Sequence, residues 1–177
     1  MKIFSAEDIK LWDQYTILHE PITSIDLMER AAAACINWLE NKFFIENRFT
    51  IFCGKGNNGG DGLAIARLLA QKKYAVRIFI LEFGQKGTDD FQANLARLHE
   101  HPEVDIRFIQ SEEHFHEFDK EEIIIDALFG SGLNRGLEGL TAKLVTHINN
   151  SGCPIISIDI PSGLFVDRSS KGNTVIK

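Results

Sequence analysis

The feature that most constrains this chain is an alternation that begins near residue 48. Apolar runs at 49–53, 75–81, 104–109, 122–128 and 154–160 are separated by helical stretches at 60–72, 88–100 and 137–150, with a short, acidic one at 112–118. Near-continuous apolar strands alternating with helices require a sheet that is covered on both faces, and such sheets are parallel. The expected fold class is therefore α/β, a Rossmann-like three-layer αβα sandwich with a mostly parallel central sheet. In such a sheet the chain crosses back after the third strand, and the fourth lies beside the first. The loops after strands one, four and five then line the crevice where doubly wound folds bind ligands.

Those three loops hold the polar chemistry. The first is Cys53-Gly54-Lys55-Gly56-Asn57-Asn58-Gly59-Gly60-Asp61-Gly62, between an apolar run and a helical segment. Glycines there suit positive φ and close approach to a ligand, and backbone N–H groups at a helix start suit an anionic or polar group. Gly54, Gly56 and Gly59 fit the dinucleotide pattern, with Glu82 near the ribose-acid distance. Asp61, however, puts a carboxylate where a pyrophosphate would sit, and two anions there need a proton or a cation between them. No Gly-Lys-Ser/Thr follows, so the loop is not a P-loop.

The second loop reads Asp126-Ala127-Leu128-Phe129-Gly130-Ser131-Gly132-Leu133-Asn134-Arg135-Gly136, and the third Asp159-Ile160-Pro161-Ser162-Gly163. Each places an aspartate at the carboxyl end of an apolar run. Oxygen donors without His or Cys suit an alkali or alkaline-earth cation rather than zinc. Taken singly, either aspartate also suits a structural role within its own turn. Desolvation by the preceding strand raises the pKa of Asp159 and a nearby cation lowers it, and the net sign is open at this stage.

Before the alternation, Ser5 and Asp8 form a capping-box-like start for a helix near 5–18. Thr23 or Ser24 caps a second helix with Leu27, Met28, Ala31, Ala32, Cys35, Trp38 and Leu39 at helical spacing, read as core and packing. The alanine run and the excess apolar surface suit a second copy of the chain. A formal net charge of −6 over 177 residues offers no basic patch for nucleic acid. There is no run of membrane-spanning length, and the first residues lack the basic and apolar regions expected of a signal peptide. Cys35, Cys53 and Cys153 are odd in number and far apart, and read as buried thiols of a cytoplasmic protein. His114 and His116 read as part of a solvated surface helix, not a metal site.

Together, G-K-G-N-N-G-G-D-G, D-A-L-F-G-S-G and I-D-I-P-S-G resemble the signature loops of the YjeF N-terminal family, the NAD(P)HX epimerases, from the first helix to about residue 177. The resemblance implies a domain that interconverts the R and S epimers of hydrated NADH and NADPH (NADHX, NADPHX) for repair, without a redox cofactor. By position, it implies one potassium ion (K+) on Asn58, Asp126 and Ser162. It also implies a substrate set of Asn57, Asn58, Gly59, Gly60, Asp61, Gly130, Ser131, Gly132, Leu133, Asn134, Arg135, Gly136 and Asp159. Asp159 is the expected acid–base residue, with Asp61 next in line. The implied partner is an ADP- or ATP-dependent dehydratase that uses the S form, fused to the C-terminus in many bacterial relatives, and a homodimer is expected. Similar domains continue past the last apolar run, so residues 1–177 are expected to be a C-terminally incomplete epimerase domain. Three competing readings are a dehydrogenase, the dehydratase itself, and a scaffold of the enhancer-of-decapping kind. Asp61 argues against the first, the lack of a ribokinase-type ATP site against the second, and intact Asp126 and Asp159 against the third.

Overall fold

The computed structural model describes residues 4–177. Helices α1 (Ala6–His19) and α2 (Ser24–Glu40) precede the alternating part, which runs β1 (Arg48–Cys53), α3 (Asn57–Gln71), β2 (Ala75–Leu81), α4 (Asp89–Leu98), β3 (Asp105–Ile109), β4 (Glu122–Ala127), α5 (Gly139–Asn149) and β5 (Ile155–Ser157). The sheet order is β3-β2-β1-β4-β5, and every pairing is parallel. β4 lies beside β1, as expected, so the ends of β1, β4 and β5 meet at the switch point.

Each face of the sheet has its own core. Phe49, Ile51, Cys53, Ile78, Ile80, Ile123 and Ile125 pack beneath Ala32, Ile36 and Leu39 of α2 and the apolar side of α3. The alternate residues, Phe52, Phe79, Leu81 and Ile124, pack against Leu144, Val145 and Ile148 of α5. The period-two alternation of strand side chains thus divides the apolar runs between two helical layers.

Four expectations need correction. Residues 112–118 are not a solvated helix: Glu112–His114 form a single 3-10 turn, and half-buried His116 bonds Glu122 at 2.9 Å. Aromatic rings draw the segment onto the sheet, for His116 stacks on Phe79. Trp38 is 50% exposed rather than core, because the buried stripe of α2 runs through Met28, Ala32, Ile36 and Leu39 and the helical period places Trp38 to one side of it. The last strand spans only Ile155–Ser157, since the chain turns away before Asp159. Finally, no glycine of residues 54–62 takes a positive φ. Those glycines are needed for close packing: a Cβ on Gly54 would lie 2.0 Å from the Leu128 carbonyl oxygen, and one on Gly59 1.9 Å from that of Gly54.

α1 is built differently from the rest. It begins with the anticipated capping box, Ser5 Oγ accepting from the Asp8 N–H and Asp8 reaching back to the Ser5 N–H. It buries no residue. The Asp167 carboxylate accepts from the Ala6 N–H at 3.3 Å and ties the helix start to the C-terminal loops.

Candidate active site

β4 delivers Asp126, fully buried, to the crevice end of the sheet. Its carboxylate accepts from Ser157 Oγ at 2.9 Å, from the Ser162 N–H at 2.9 Å, from Ser162 Oγ at 2.6 Å and from the Leu128 N–H at 3.2 Å. Burial pushes its pKa up, and the hydrogen bonds from Ser162, Ser157 and Leu128 offset only part of that rise. Ser162 Oγ also accepts from the Phe129 N–H at 2.9 Å. The third loop is therefore fastened to the second through one serine and one aspartate. Ser157 lies directly opposite Asp126 in the β4–β5 register.

Asp159 stands beyond this knot in a left-handed conformation, φ 65°. That backbone is uncommon for a side chain other than Gly, Asn or Asp. Its Oδ2 accepts from the Ser131 N–H at 2.6 Å. The residue is exposed, so the expected desolvation by the strand does not apply. Gly130 packs between it and α3. A Cβ on Gly130 would lie 2.4 Å from Asp159 Oδ2 and 3.3 Å from Asn58 Cγ. Only a glycine lets the aspartate and the asparagine come so close.

The first loop enters α3 without a side-chain cap. Asn57 is exposed at the first position. Gly59 and Gly60 are buried, with Gly60 against Met28, so what they can present to a ligand is backbone. Asn58 Oδ1 and Nδ2 are both buried without a hydrogen-bond partner. Asp61 is one turn further on, three residues from Asn58 and so on the same side of the helix. Burial, then the charges of Asp159, Asp13 and Asp90, push its pKa up to about 7. The proton invoked to separate two anions is therefore held by Asp61 itself.

Asp13 of α1 is the residue that sequence reasoning missed. Burial and the Asp159 charge raise its pKa. α1 buries nothing, so its sequence carries no apolar stripe that would have aimed Asp13 at the crevice. The dinucleotide-type acid, Glu82, is occupied, for Lys55 Nζ donates to it at 2.7 Å. Cys53 is fully buried and its thiol is pushed far up by burial and by Asp126 and Asp61, which makes it an inert packing group.

Of the second loop, Ser131, Gly132, Leu133 and Asn134 line a cleft of about 680 Å³ that opens beside Asp159. Arg135 is exposed, and Gly136 faces Asn173. Among the described residues, no group of three or more His, Cys, Asp or Glu side chains is placed to hold a metal ion. The hard oxygen donors at the crevice are the Asp126 carboxylate, the Ser162 hydroxyl and the unpartnered Asn58 amide oxygen, types that could hold an alkali or alkaline-earth cation rather than zinc. Among those same residues, no helix is long and apolar enough to cross a membrane.

This loop set can be compared with known proteins. The family model described as YjeF-related protein N-terminus matches residues 24–177. The NAD(P)H-hydrate epimerase of Oenococcus oeni is 34% identical over 98% of this chain and 80% of that protein. The NAD(P)H-hydrate epimerase of Lentilactobacillus buchneri is 38% identical over 98% and 78%. The bifunctional NAD(P)H-hydrate repair enzyme Nnr of Dictyoglomus turgidum is 39% identical over 94% of this chain, which spans only 32% of that longer protein. The crystal structure of the yeast protein YNL200c shares the fold, with a TM-score of 0.79 at 22% identity, over 98% of this chain and 76% of the yeast one. The chain belongs to the YjeF-related N-terminal family.

Proposed function

We propose that this chain is an NAD(P)H-hydrate epimerase, an isomerase that interconverts the R and S forms of NADHX and NADPHX in nicotinamide-nucleotide repair. Family membership supports this reading, as do the epimerases that match nearly the whole chain. The observation that carries the chemistry is a pair of carboxylates in unlike environments. Asp61, half-buried, holds its proton up to about pH 7, while exposed Asp159 is aimed by the Ser131 N–H.

The substrate carries a hydroxyl on the ring carbon next to nitrogen. As the nitrogen lone pair expels it, one carboxyl donates a proton and water leaves. Water then adds to the planar cation from the other face and returns a proton to a carboxylate. Nothing is oxidised and the proton count is unchanged. Two acids in unlike environments suit this division of labour, with half-buried Asp61, whose pKa is raised to about 7, as donor and exposed Asp159 as acceptor. The ring-opening route needs the same two groups.

Asn58, Asp126 and Ser162 would hold the potassium ion, which supplies a counter-charge for buried Asp126 and fixes the loops against one another. The exposed face of α1 and α2 supports a homodimer. Trp12 and Tyr15 are each 59% exposed, Leu18 77%, more apolar surface than a lone helix in water requires. A monomer mass by light scattering at tens of micromolar would remove the dimer. The three cysteines are free thiols, which accords with a cytoplasmic setting. Function with an NAD(P)HX dehydratase, separate or fused, accords with the bifunctional relative.

The deciding assay supplies the R epimer together with a purified S-specific dehydratase. This chain should accelerate its consumption well beyond spontaneous epimerisation. An unchanged rate overturns the reading.

A further inference from the structure

The cleft beside Asp159 has a wall that neither the loop signatures nor the acid–base chemistry uses. α1 presents one face, Lys10, Leu11 and Gln14, across from Leu133 and Asn134, and Phe165 and Arg168 close the end. At about 680 Å³ it is within the usual range for a small-molecule site. Ser131 joins it to the reacting end, because that residue lines the cleft and donates its N–H to Asp159.

The chemistry of the wall favours a neutral flat group over a phosphate. Lys10 and Arg168 are matched by Glu7 and Asp167 in the same lining, so the cleft has no net positive charge. Its distinctive element is Arg168. The guanidinium lies over the Phe165 ring at 3.9 Å and donates to the Asn134 carbonyl oxygen. The Phe165 N–H is itself pinned by Ser170 Oγ at 2.8 Å. A planar cation held on one face by a ring and at its edge by a carbonyl offers its other face for stacking, and nucleobases stack on arginine planes.

We propose that this cleft is the subsite for the adenosine half of the dinucleotide, with the Arg168 guanidinium as the platform under the base and Leu11 of α1 closing over it. The proposal rests on the epimerase reading for its substrate. Its recognition chemistry, a purine nucleoside on a guanidinium, stands apart from turnover. α1 thereby becomes a substrate-binding element, which gives a role to a helix that buries nothing.

Binding and turnover test the two readings separately. Adenosine 5′-monophosphate is titrated into the full chain by NMR or calorimetry. Binding should shift resonances in 7–14 and 165–168, and Arg168→Ala should weaken it by about tenfold, the order expected for loss of one stacking partner. Arg168 and Leu11 are both exposed, so folding is preserved, and circular dichroism checks it. In the coupled assay, kcat/KM for NADHX is divided by that for hydrated reduced nicotinamide mononucleotide, which lacks adenosine. Arg168→Ala and Leu11→Ser should each lower that ratio several-fold to tenfold, carried by KM. No binding of the nucleotide, or binding indifferent to Arg168→Ala, overturns the subsite even if the parent epimerises normally. Nucleotide binding lost in Arg168→Ala together with no epimerisation by the parent upholds the subsite and overturns the epimerase reading.

Discussion

β4 carries a buried carboxylate at each end, and the two are handled in opposite ways. Glu122 at its start is 3% exposed and Asp126, four residues on and on the same face, is 0% exposed. Glu122 accepts from Thr50 Oγ1 at 2.5 Å and meets His116 Nε2 at 2.9 Å. Burial pushes its pKa up, but the Thr50 and His116 hydrogen bonds outweigh this and hold it below the usual range. Asp126 accepts four hydrogen bonds, all from neutral donors, and its pKa stays raised. A buried acid with a basic partner is a fastener. A buried acid with none, at a sheet end whose first loop also carries an unpartnered amide and an acid with a raised pKa, marks where a ligand is expected.

The largest effect that separates the two ends is on turnover. Asp159→Asn and Asp61→Asn should each reduce epimerisation by about two to four orders of magnitude, the usual contribution of a positioned acid–base group. Substrate affinity should change little. The kcat/KM of the parent should fall as pH rises through about 7, where Asp61 loses its proton. An Asp159→Asn enzyme that keeps more than about a tenth of the parent rate would leave the proton chemistry to Asp61. Glu122→Gln, at the other end, should leave turnover within about twofold.

Stability should separate them the other way. Glu122→Gln removes a charged acceptor from Thr50 and His116 and should cost about 1–3 kcal/mol at neutral pH. Because the folded pKa of Glu122 is depressed, its contribution is present above the unfolded value and is lost as pH falls through the folded one. The Glu122→Gln deficit should therefore shrink below about pH 4. Asp61 has the opposite sign. Its folded pKa is raised, so ionising it destabilises the fold progressively between about pH 4 and pH 7. Asp61→Asn should consequently stabilise the protein by up to about 4 kcal/mol at pH 8 and by almost nothing at pH 4. Denaturant melts of both variants at the two pH values check this, and parallel pH trends would erase the contrast.

How much of this contrast was legible in the sequence follows from what each residue depends on. Strand order and the meeting of three loops were legible, since period-two apolar runs and parallel crossovers leave few arrangements. The loops of Asp126 and Asp159 were legible as neighbours because each ends or follows a strand of that sheet, whereas Ser162 was joined to Asp126 only by the resemblance to the family's loops. The protonated state of Asp61 was not, since it is set by burial under α2 and by Asp13, Asp90 and Asp159 arriving from three other segments. The role of Glu122 was also hidden. His116 reaches it because Phe79 holds His116 and Phe52 holds Phe118, drawing the 115–118 segment onto the sheet, and no local pattern encodes that. The positive φ of Asp159 comes from the turn off a strand three residues long, shorter than the apolar run suggested.

The smallest expected effect tests the cation directly. If potassium occupies Asn58, Asp126 and Ser162, the folded state binds it and the unfolded chain does not. A tenfold excess over its dissociation constant should then add about 1.4 kcal/mol, roughly 3–5 °C in Tm for a domain of this size. Melting in potassium chloride against choline chloride at equal ionic strength reads this increment. Asp126→Asn is an imperfect probe, since an amide nitrogen would face donors that now meet a carboxylate. Asn58→Ala is cleaner. The Asn58 amide makes no hydrogen bond within the protein, so removing it discards no internal partner. In choline the variant should melt at or slightly above the parent, freed of two unsatisfied buried groups. In potassium it should lose most of the increment. A variant that falls by the same amount in both salts would mean that Asn58 supports the fold rather than an ion, and a parent indifferent to potassium would reduce the contrast between the two ends of β4 to hydrogen bonding alone.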